Sequence, residues 1–321
     1  MSKLRTLMAG AAVAAVCVTT ASAADIAIIG GKSDDAFFAK IAKGITDATL
    51  VVEAHGGTVN YLQLQTYDNI GGDAANLVRT AMSQNVDIIA VPNWVPDTQD
   101  EAIKAAMNAG IAVILYNAGG GEKAAELGAI NYIGNEEYPA GFAGGKYFAE
   151  HGAKHVICVN TVPGSGNIED RCRGLADGMA EAGVTAEQLP LPASSFGDPT
   201  AVAEAIKATL LGDDTIDGVF AISSADADSA YTAMQQAGKL DSVQLGSFDM
   251  NVAGLERIRD SEQLFAIDQQ PWLQGFLAVT LADGYVNYGL AMATSPLLTG
   301  PGIVDLTNID ATLAGGEQGY R

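Results

Sequence analysis

Two stretches of the chain carry the same pattern and decide the fold: Val86-Asp87-Ile88-Ile89-Ala90-Val91-Pro92-Asn93 and Ile216-Asp217-Gly218-Val219-Phe220-Ala221-Ile222-Ser223. Each has an Asp that opens an apolar run and a polar residue six places after that Asp. In both, an Ala-Gly pair and a further apolar segment follow, and that segment ends in a polar residue, Asn117 or Asp249. Continuous apolar runs are typical of parallel strands that helices cover on both faces. The repeat therefore predicts two similar α/β lobes.

The same rhythm of short apolar segments and amphipathic segments extends along nearly the whole chain, which favours doubly wound parallel sheets. The predicted strands are Asp25–Ile29, Thr58–Leu64, Val86–Val91, Ile111–Tyr116, His155–Asn160, one near Gln188, Gly218–Ile222 and Val243–Phe248. The predicted helices include Phe37–Ala54, Asp73–Ser83, Asp97–Ala109, Glu136–Glu150 and Ile168–Ala182.

The first residues have the pattern of an export signal. Lys3 and Arg5 precede an apolar run that is shorter than the roughly 20 residues of a membrane span, and small residues around Ala23 form a cleavage site. We therefore expect residues 1–23 to be removed and the mature protein to be soluble in the periplasm. Lipidation of Cys17 is the disfavoured alternative, because Val16 is not the small residue that such a site needs.

Composition excludes several classes of function. The chain has 17 Lys and Arg against 38 Asp and Glu, so nucleic acid and anionic membranes are not expected partners. Gly31-Lys32-Ser33 is not a phosphate-binding loop, because Ile26 stands where that motif needs a Gly. The three His have no metal-ligand or catalytic spacing, so we expect no enzyme activity, no cofactor and no metal site.

Cys158 and Cys172 remain after removal of the signal. Disulfides form in oxidising compartments, so a bond between the two is a reasonable expectation. Two free, buried thiols are the alternative, because one cysteine lies on a predicted strand and the other on the following helix, where distance and direction must both fit.

Four polar residues occupy the carboxyl ends of predicted strands, namely Asn93, Asn117, Ser223 and Asp249. Ligands of open parallel sheets bind at this edge. Two lobes that face each other would bring the four residues together around one cleft. Trp94, next to Asn93, is either a further wall of that cleft or part of the core.

Several further motifs, in this order, make the chain resemble the ribose-type branch of the periplasmic binding proteins, which is related to the effector domains of lactose-repressor-like regulators. They are Asp35-Ala36-Phe37-Phe38, Val113-Ile114-Leu115-Tyr116-Asn117, Ile133-Gly134-Asn135, Ala140-Gly141-Phe142-Ala143-Gly144-Gly145, Arg171-Cys172-Arg173-Gly174-Leu175, Gly246-Ser247-Phe248-Asp249 and Ala266-Ile267-Asp268-Gln269-Gln270-Pro271. The resemblance covers about residues 25–310. It implies a type I periplasmic binding protein, with two doubly wound lobes joined by a three-segment hinge.

The resemblance also implies a set of ligand contacts. Phe37 and Phe38 would stack on the apolar face of a sugar ring, which suits the physics of such a ligand. Asp35, Asp249 and Gln269 would bind hydroxyls. The second lobe would add Asn167 and Arg171, although Arg171 could equally be a structural ion-pair residue.

Some positions depart from the ribose-binding pattern and make ribose itself doubtful. Tyr116-Asn117 replaces an Asp-Arg pair, Glu169 replaces an Arg, and Ser223 replaces an Asn. Trp272, beside a predicted crossing, is a weaker candidate for the cleft.

By position, the resemblance implies three crossings between the lobes, near Gly134, Gln269 and Thr299. The first lobe would comprise residues 25–133 and 270–298, and the second would comprise residues 134–269 and 299–321. The implied function is the binding component of an ABC importer, a monomer that closes on a monosaccharide or sugar alcohol and docks on a membrane permease. Delivery to a chemoreceptor or sensor kinase, and a nucleoside or furanosyl signalling molecule as ligand, remain the alternatives.

Overall fold

The computed structural model describes residues 23–321; the predicted signal peptide lies outside them except for Ala23. The strands are β1 (Asp25–Gly30), β2 (Thr58–Gln63), β3 (Ile88–Val91), β4 (Ala112–Tyr116), β5 (Tyr132–Gly134), β6 (His155–Asn160), β7 (Thr185–Pro190), β8 (Gly218–Ala221), β9 (Gln244–Phe248), β10 (Phe265–Asp268), β11 (Leu297–Leu298) and β12 (Gly302–Val304). The helices are α1 (Ala36–Ala54), α2 (Ile70–Ser83), α3 (Pro96–Asn108), α4 (Gly120–Leu127), α5 (Glu137–Glu150), α6 (Gly166–Glu181), α7 (Pro199–Gly212), α8 (Ser224–Ala237), α9 (Val252–Arg259), α10 (Pro271–Tyr288) and α11 (Ile309–Glu317). In the described part of the chain, no helix has both the length and the apolar character needed to cross a membrane.

The strands form two six-stranded sheets with matching topology. Their orders are β11-β5-β4-β3-β1-β2 and β12-β10-β9-β8-β6-β7. The five matching strands of each sheet are parallel, whereas β11 joins its sheet parallel to β5 and β12 joins antiparallel to β10. The predicted fold class, two doubly wound parallel-sheet lobes, is confirmed.

The two Asp residues of the sequence repeat have the same structural role. In the first lobe, the Asp87 carboxylate accepts a hydrogen bond from the backbone N–H of Asp25 at 2.9 Å. In the second, the Asp217 carboxylate accepts from the N–H groups of Lys154 and His155 at 2.8–3.0 Å. Each Asp carboxylate thus binds backbone N–H groups at the start of the neighbouring strand that would otherwise lack a partner. The Asp recurs in both repeats because both sheets have such N–H groups at the matching place.

Glycines allow the helices that carry the cleft residues to pack closely. A Cβ atom at Gly44 of α1 would collide with the carbonyl of Trp272 on α10, and one at Gly275 would collide with that of Ile41. On the other lobe, Gly141 of α5 lies against the backbone of α6 in the same way. The Gly-rich motif in α5 therefore fixes the position of α6.

A disulfide joins Cys158 on β6 to Cys172 on α6, with 5.6 Å between their Cα atoms. This bond ties α6 to β6, the strand beside the edge strand β7. It lies one residue from Arg171, so it also fixes the part of the helix that faces the cleft.

The chain passes between the sheets three times, after β5, after β10 and between β11 and β12. These three segments are hydrogen-bonded to one another. The N–H of Thr299 donates to the carbonyl of Gly134 at 2.8 Å, and its hydroxyl donates to the carbonyl of Gln269 at 2.7 Å. The Gln270 side chain donates back to the carbonyl of Thr299 at 2.7 Å. The passages therefore form one connected strip at the base of the cleft.

Candidate functional site

A cavity of about 320 Å³ lies between the two lobes, a size within the range of small-molecule sites. Loops at the carboxyl ends of the strands and the first turns of α1, α6 and α8 line it. The predicted site residues that line it are Asp35, Phe37, Phe38, Trp94, Asn117, Asn167, Arg171, Ser223, Asp249 and Gln269.

Two predicted residues do not line the cavity. Asn93 is buried, and its side-chain amide donates to Asp100 on α3 at 2.7 Å. Trp272 donates to the Asp47 carboxylate at 2.8 Å and stacks on Phe276, at the outer face of α1 and α10. Both residues follow the end of a strand, but their side chains turn away from the cleft.

Aromatic rings form an apolar wall on the side of the first lobe. Phe38 lies edge-on to Phe37, with ring centres 5.5 Å apart, and edge-on to Trp94, with ring centres 5.8 Å apart. Phe38 and Trp94 are buried and belong to the core cluster of that lobe, whereas Phe37 is half-buried. Both positions considered for Trp94 are therefore occupied by one ring, which packs in the core and also lines the cavity.

Tyr67 and Phe196 were not predicted from the sequence. Their rings meet edge to face across the mouth of the cavity, with centres 4.9 Å apart, one from each lobe. Both residues lie in loops away from the strand-end positions that guided the prediction. Burial and the nearby Asp35 carboxylate raise the pKa of the Tyr67 phenol, which therefore stays a hydrogen-bond donor.

Asp35 caps α1. Its Oδ1 accepts from the backbone N–H groups of Phe37 and Phe38 at 2.8 and 3.3 Å, and its Oδ2 accepts from the Tyr67 hydroxyl at 2.7 Å. These bonds satisfy the exposed N–H groups of the first helical turn. Asp35 therefore orients the two Phe rings, in addition to lining the cavity.

Asn117 and Asp249, the matching strand-end residues of the repeat, both have left-handed backbone conformations, with φ of 63° and 61°. Asn and Asp tolerate this conformation better than other non-glycine residues. Asn117 accepts from the indole N–H of Trp94 at 3.3 Å, and Asp249 accepts from the amide of Gln269 at 2.8 Å. The identity of both residues is thus favoured by the backbone as well as by the cavity.

Asp249 is a buried carboxyl group at the cavity wall. Burial raises its pKa to about 6, and this effect is opposed by Arg171, Gln269 and Lys40. Gln269 donates to Oδ1, while no described residue donates to Oδ2. One carboxylate oxygen is therefore available to a ligand.

Arg171 is buried, forms the structural ion pair that was one of its two predicted roles, and also lines the cavity. Its Nε and Nη2 donate to the Glu137 carboxylate at 2.7 and 3.2 Å, and Nη1 donates to the carbonyl of Ile222 at 2.9 Å. Its guanidinium lies 4.0 Å above the ring of Phe248. A guanidinium has five N–H donors, so two of them are left for a ligand.

Ser223 caps α8 and holds a carboxyl group that the sequence analysis missed. Its hydroxyl donates to Oδ2 of Asp226 at 2.8 Å, and the Thr161 hydroxyl donates to the same oxygen at 3.1 Å. Asp226 lines the cavity and is 4% exposed, and burial raises its pKa to about 6. The Ser-x-x-Asp spacing of a helix start could have indicated this residue.

Direct contacts between the lobes close the cleft. The ammonium of Lys40 on α1 donates to the carbonyl of Met250 at 2.6 Å, and the N–H of Gly166 at the start of α6 donates to the carbonyl of Trp94 at 3.0 Å. At the same helix start, Asn167 lines the cavity and accepts from the Ser165 hydroxyl at 2.7 Å. The described conformation is therefore a closed one.

The protein has two doubly wound lobes, three linking segments and a cavity between the lobes that polar and aromatic side chains line. This architecture is that of the two-lobed proteins that bind small solutes. The chain belongs to the family of the periplasmic binding protein domain, whose sequence model matches residues 26–290.

Relatives and solved structures support this assignment. The ribose import binding protein of Salmonella typhimurium is 27% identical over 92% of this chain and 97% of its own length. The xylose/arabinose-binding protein of Sulfolobus acidocaldarius is 26% identical over 78% of this chain, and the match spans 63% of that protein. The structure of a carbohydrate transporter from Acidothermus cellulolyticus 11B in complex with myo-inositol is 31% identical, with a TM-score of 0.84 over 93% of this chain and 99% of the other.

Proposed function

We propose that this protein is the substrate-binding component of an ABC importer and binds a monosaccharide or sugar alcohol in the cavity between its lobes. The observation that carries the proposal is the pairing, in one cavity between the lobes, of an aromatic wall with carboxyl, amide and guanidinium groups. A sugar or cyclic polyol has apolar C–H faces and hydroxyl edges, and this pairing matches both. The relatives described above, whose names specify ribose, xylose or arabinose, support the same class of ligand.

The proposed ligand contacts are cavity-lining side chains, first of all the aromatic rings and the polar groups that still have an oxygen or N–H without a protein partner. Phe37, Phe38 and Trp94 take the apolar face of the ring. Asp249 and the free N–H groups of Arg171 bind hydroxyls. Further proposed contacts are Asp35, Asn117, Asn167, Ser223 and Gln269 from the predicted set, together with Tyr67, Phe196 and Asp226; Asn93 is left out because it bonds Asp100 instead.

Cyclic hexitols are the first ligands to test. The structure in complex with myo-inositol is 31% identical to this chain and superposes over nearly the whole of it. Nucleosides and furanosyl signalling molecules are the alternative class.

The biological setting is part of the proposal. The protein is exported to the periplasm with cleavage after Ala23, acts as a monomer without catalytic activity, and delivers its ligand to a permease in the inner membrane. It could serve a chemoreceptor or sensor kinase in the same closed form. The lobes divide at residues 133/134, 269/270 and 298/299, and ligand contacts from both of them stabilise closure about this hinge.

A thermal-shift screen of the mature protein tests the proposal, with pentoses, hexoses, tetritols, pentitols, inositols, nucleosides and amino acids as probes. A ligand at one hundred times its Kd adds about 2.7 kcal/mol to the free energy of unfolding. A clear rise in Tm with a sugar or polyol is the expected result. A rise with nucleosides or amino acids alone would overturn the proposed ligand class. Protein that shows no rise is extracted and its retained small molecules are identified by mass spectrometry; a bound molecule without several hydroxyls would refute the proposal.

A further inference from the structure

The Asp226 carboxyl group has one oxygen bound to the protein and one that is not. Oδ2 accepts from the hydroxyls of Ser223 and Thr161, which fixes the plane of the group. Among residues 23–321, no donor bonds Oδ1. The residue is more than nine-tenths buried and lines the cavity, so its accessible surface faces the space that a ligand would fill.

No cation of the described residues neutralises this carboxyl group. The two cationic residues that line the cavity are each paired with another acid: Arg171 is held by Glu137, and Lys32 lies 3.3 Å from Asp34. The charged group that acts on Asp226 most directly is Asp35, across the cavity, which has the same sign. Asp249, on the same lobe, adds a second carboxyl group with one unbonded oxygen. The cavity therefore has an excess of negative charge, with four lining Asp residues against the two lining cations.

Burial of a carboxyl group without a cation is unfavourable for the fold, and burial accordingly raises the pKa of Asp226 to about 6. At pH 7.5 the group is largely ionised and accepts hydrogen bonds only. A ligand hydroxyl can satisfy it by donating its proton. A carboxylate or phosphate of a ligand has no proton to donate and repels it.

We propose that Asp226 is a specificity-determining residue that selects uncharged polyols and excludes their carboxylated and phosphorylated derivatives from the cavity. This inference rests on the proposed function and adds to it a rule about the charge of the ligand. The rule concerns the whole group of sugar acids, sugar phosphates and inositol phosphates, which share the hydroxyl pattern of neutral polyols and would otherwise compete for the same site.

The test compares ligands of the same skeleton that differ in charge. The neutral ligand that binds best in the thermal-shift screen is titrated calorimetrically at pH 7.5 beside its own uronate or monophosphate, for example glucose with glucuronate, or myo-inositol with myo-inositol 1-phosphate. The proteins are the wild type, Asp226→Asn, Asp226→Ser and the control Asp214→Asn. Asp214 is an exposed surface acid that pairs with Lys239, so its variant removes the same charge far from the cavity.

We expect the wild type to bind the neutral ligand at least a hundredfold more tightly than the anion. Asp226→Asn lowers the affinity for the neutral ligand by about tenfold to a hundredfold, the loss of one hydrogen bond to a charged acceptor. It also reduces the preference for the neutral ligand over the anion by tenfold or more, as does Asp226→Ser. The control leaves both quantities unchanged. The Asn side chain can still accept from Ser223 and Thr161, and far-ultraviolet circular dichroism with a melting curve verifies that both variants fold.

Each failure has a separate meaning. If the wild type binds the anion as tightly as the neutral ligand, or if folded Asp226 variants keep the wild-type preference, this inference is overturned and the proposed function stands. If no neutral sugar or polyol binds the wild type in the screen and mass spectrometry finds no retained polyol, the proposed function fails and this inference fails with it.

Discussion

Replacement of Asp249 by Asn is the change that tests the proposed site most sharply. Asn tolerates the left-handed backbone at this position, where φ is 61°, and its amide oxygen can still accept from Gln269. The substitution then places an N–H₂ donor where Oδ2 was, facing ligand hydroxyls that need an acceptor. The change is therefore confined to the ligand side of the residue.

The expected loss of affinity follows from this geometry. A hydrogen bond to a charged acceptor contributes about 1.5–3 kcal/mol, and leaving a buried donor unpaired brings the loss to the upper part of that range. A loss of about 2–3 kcal/mol corresponds to a Kd about 30-fold to 150-fold higher. Isothermal titration at pH 7.5 with the best ligand of the screen measures it, and Asp214→Asn is the control of matched charge.

Without ligand, the Asp249→Asn variant should be more stable than the wild type, although it binds the ligand more weakly. Burial raises the pKa of Asp249 from 3.8 to about 6, so at pH 7.5 its ionised form costs the fold up to roughly 3 kcal/mol. The Asn variant removes this cost, and we expect its free energy of unfolding to rise. Asp249→Ala should be less stable than Asp249→Asn by about 1 kcal/mol, because Ala is strained at positive φ. An Asn variant with an unchanged Kd would remove Asp249 from the site, and one that is destabilised would refute the charge argument.

Three other predictions concern pH, the disulfide and the packing of helices. The folded-state pKa values of Asp226 and Asp249, about 6, lie above the ordinary 3.8, so the ligand-free protein takes up protons and becomes more stable as the pH falls through 6. Ligand affinity falls over the same pH range, because the protonated carboxyl groups are weaker acceptors. Equal Kd values at pH 7.5 and pH 5 would contradict this. Replacing Cys172 by Ser should lower the free energy of unfolding by about 3 kcal/mol, measured by urea denaturation, and a wild type equally sensitive with and without reductant would speak against it. Gly44→Val should cost about 3 kcal/mol because the α10 backbone blocks any Cβ there, whereas Gly212→Val, with open space around it, is the matched control; equal melting temperatures for the two variants would show that the close helix contact is not required.

Most of the fold could be predicted from the sequence because parallel strands buried on both faces must be apolar throughout. The segments 155–160 and 244–248 are examples whose bounds agree with the prediction within a residue. Strands β5, β11 and β12 were missed because they have only two or three residues, too few for a recognisable apolar run; β10 was missed although it is as long as β3 and β8. Helix α2 begins at Ile70 rather than Asp73, because its first turn contains two glycines that weaken the helical pattern.

The site was only partly predictable, for a different physical reason. The rule that ligands bind at the carboxyl ends of parallel strands gives the position of a residue but not the direction of its side chain. Asn117 and Asn93 both end strands of the same sheet, yet Asn93 turns toward Asp100. The rule also cannot indicate cavity residues that lie in helical turns and loops, such as Asp226 and Phe196. Arg171 shows that a buried side chain can pair with an acid and line the cavity at once, so the two readings of its sequence position were not exclusive.

The connectivity of the lobes constrains how the chain matures as it is synthesised. Helix α10 packs along α1 and covers its buried face, including Ile41 and Ile45, but α10 ends only at Tyr288. A ribosome has therefore polymerised nine-tenths of the chain before the first sheet can receive its last helix. Until then the nascent N-terminal lobe lacks the helix that covers one side of its hydrophobic core. On the proposed export route, a lobe whose core is completed this late would still be unfolded enough to pass through a narrow translocation channel.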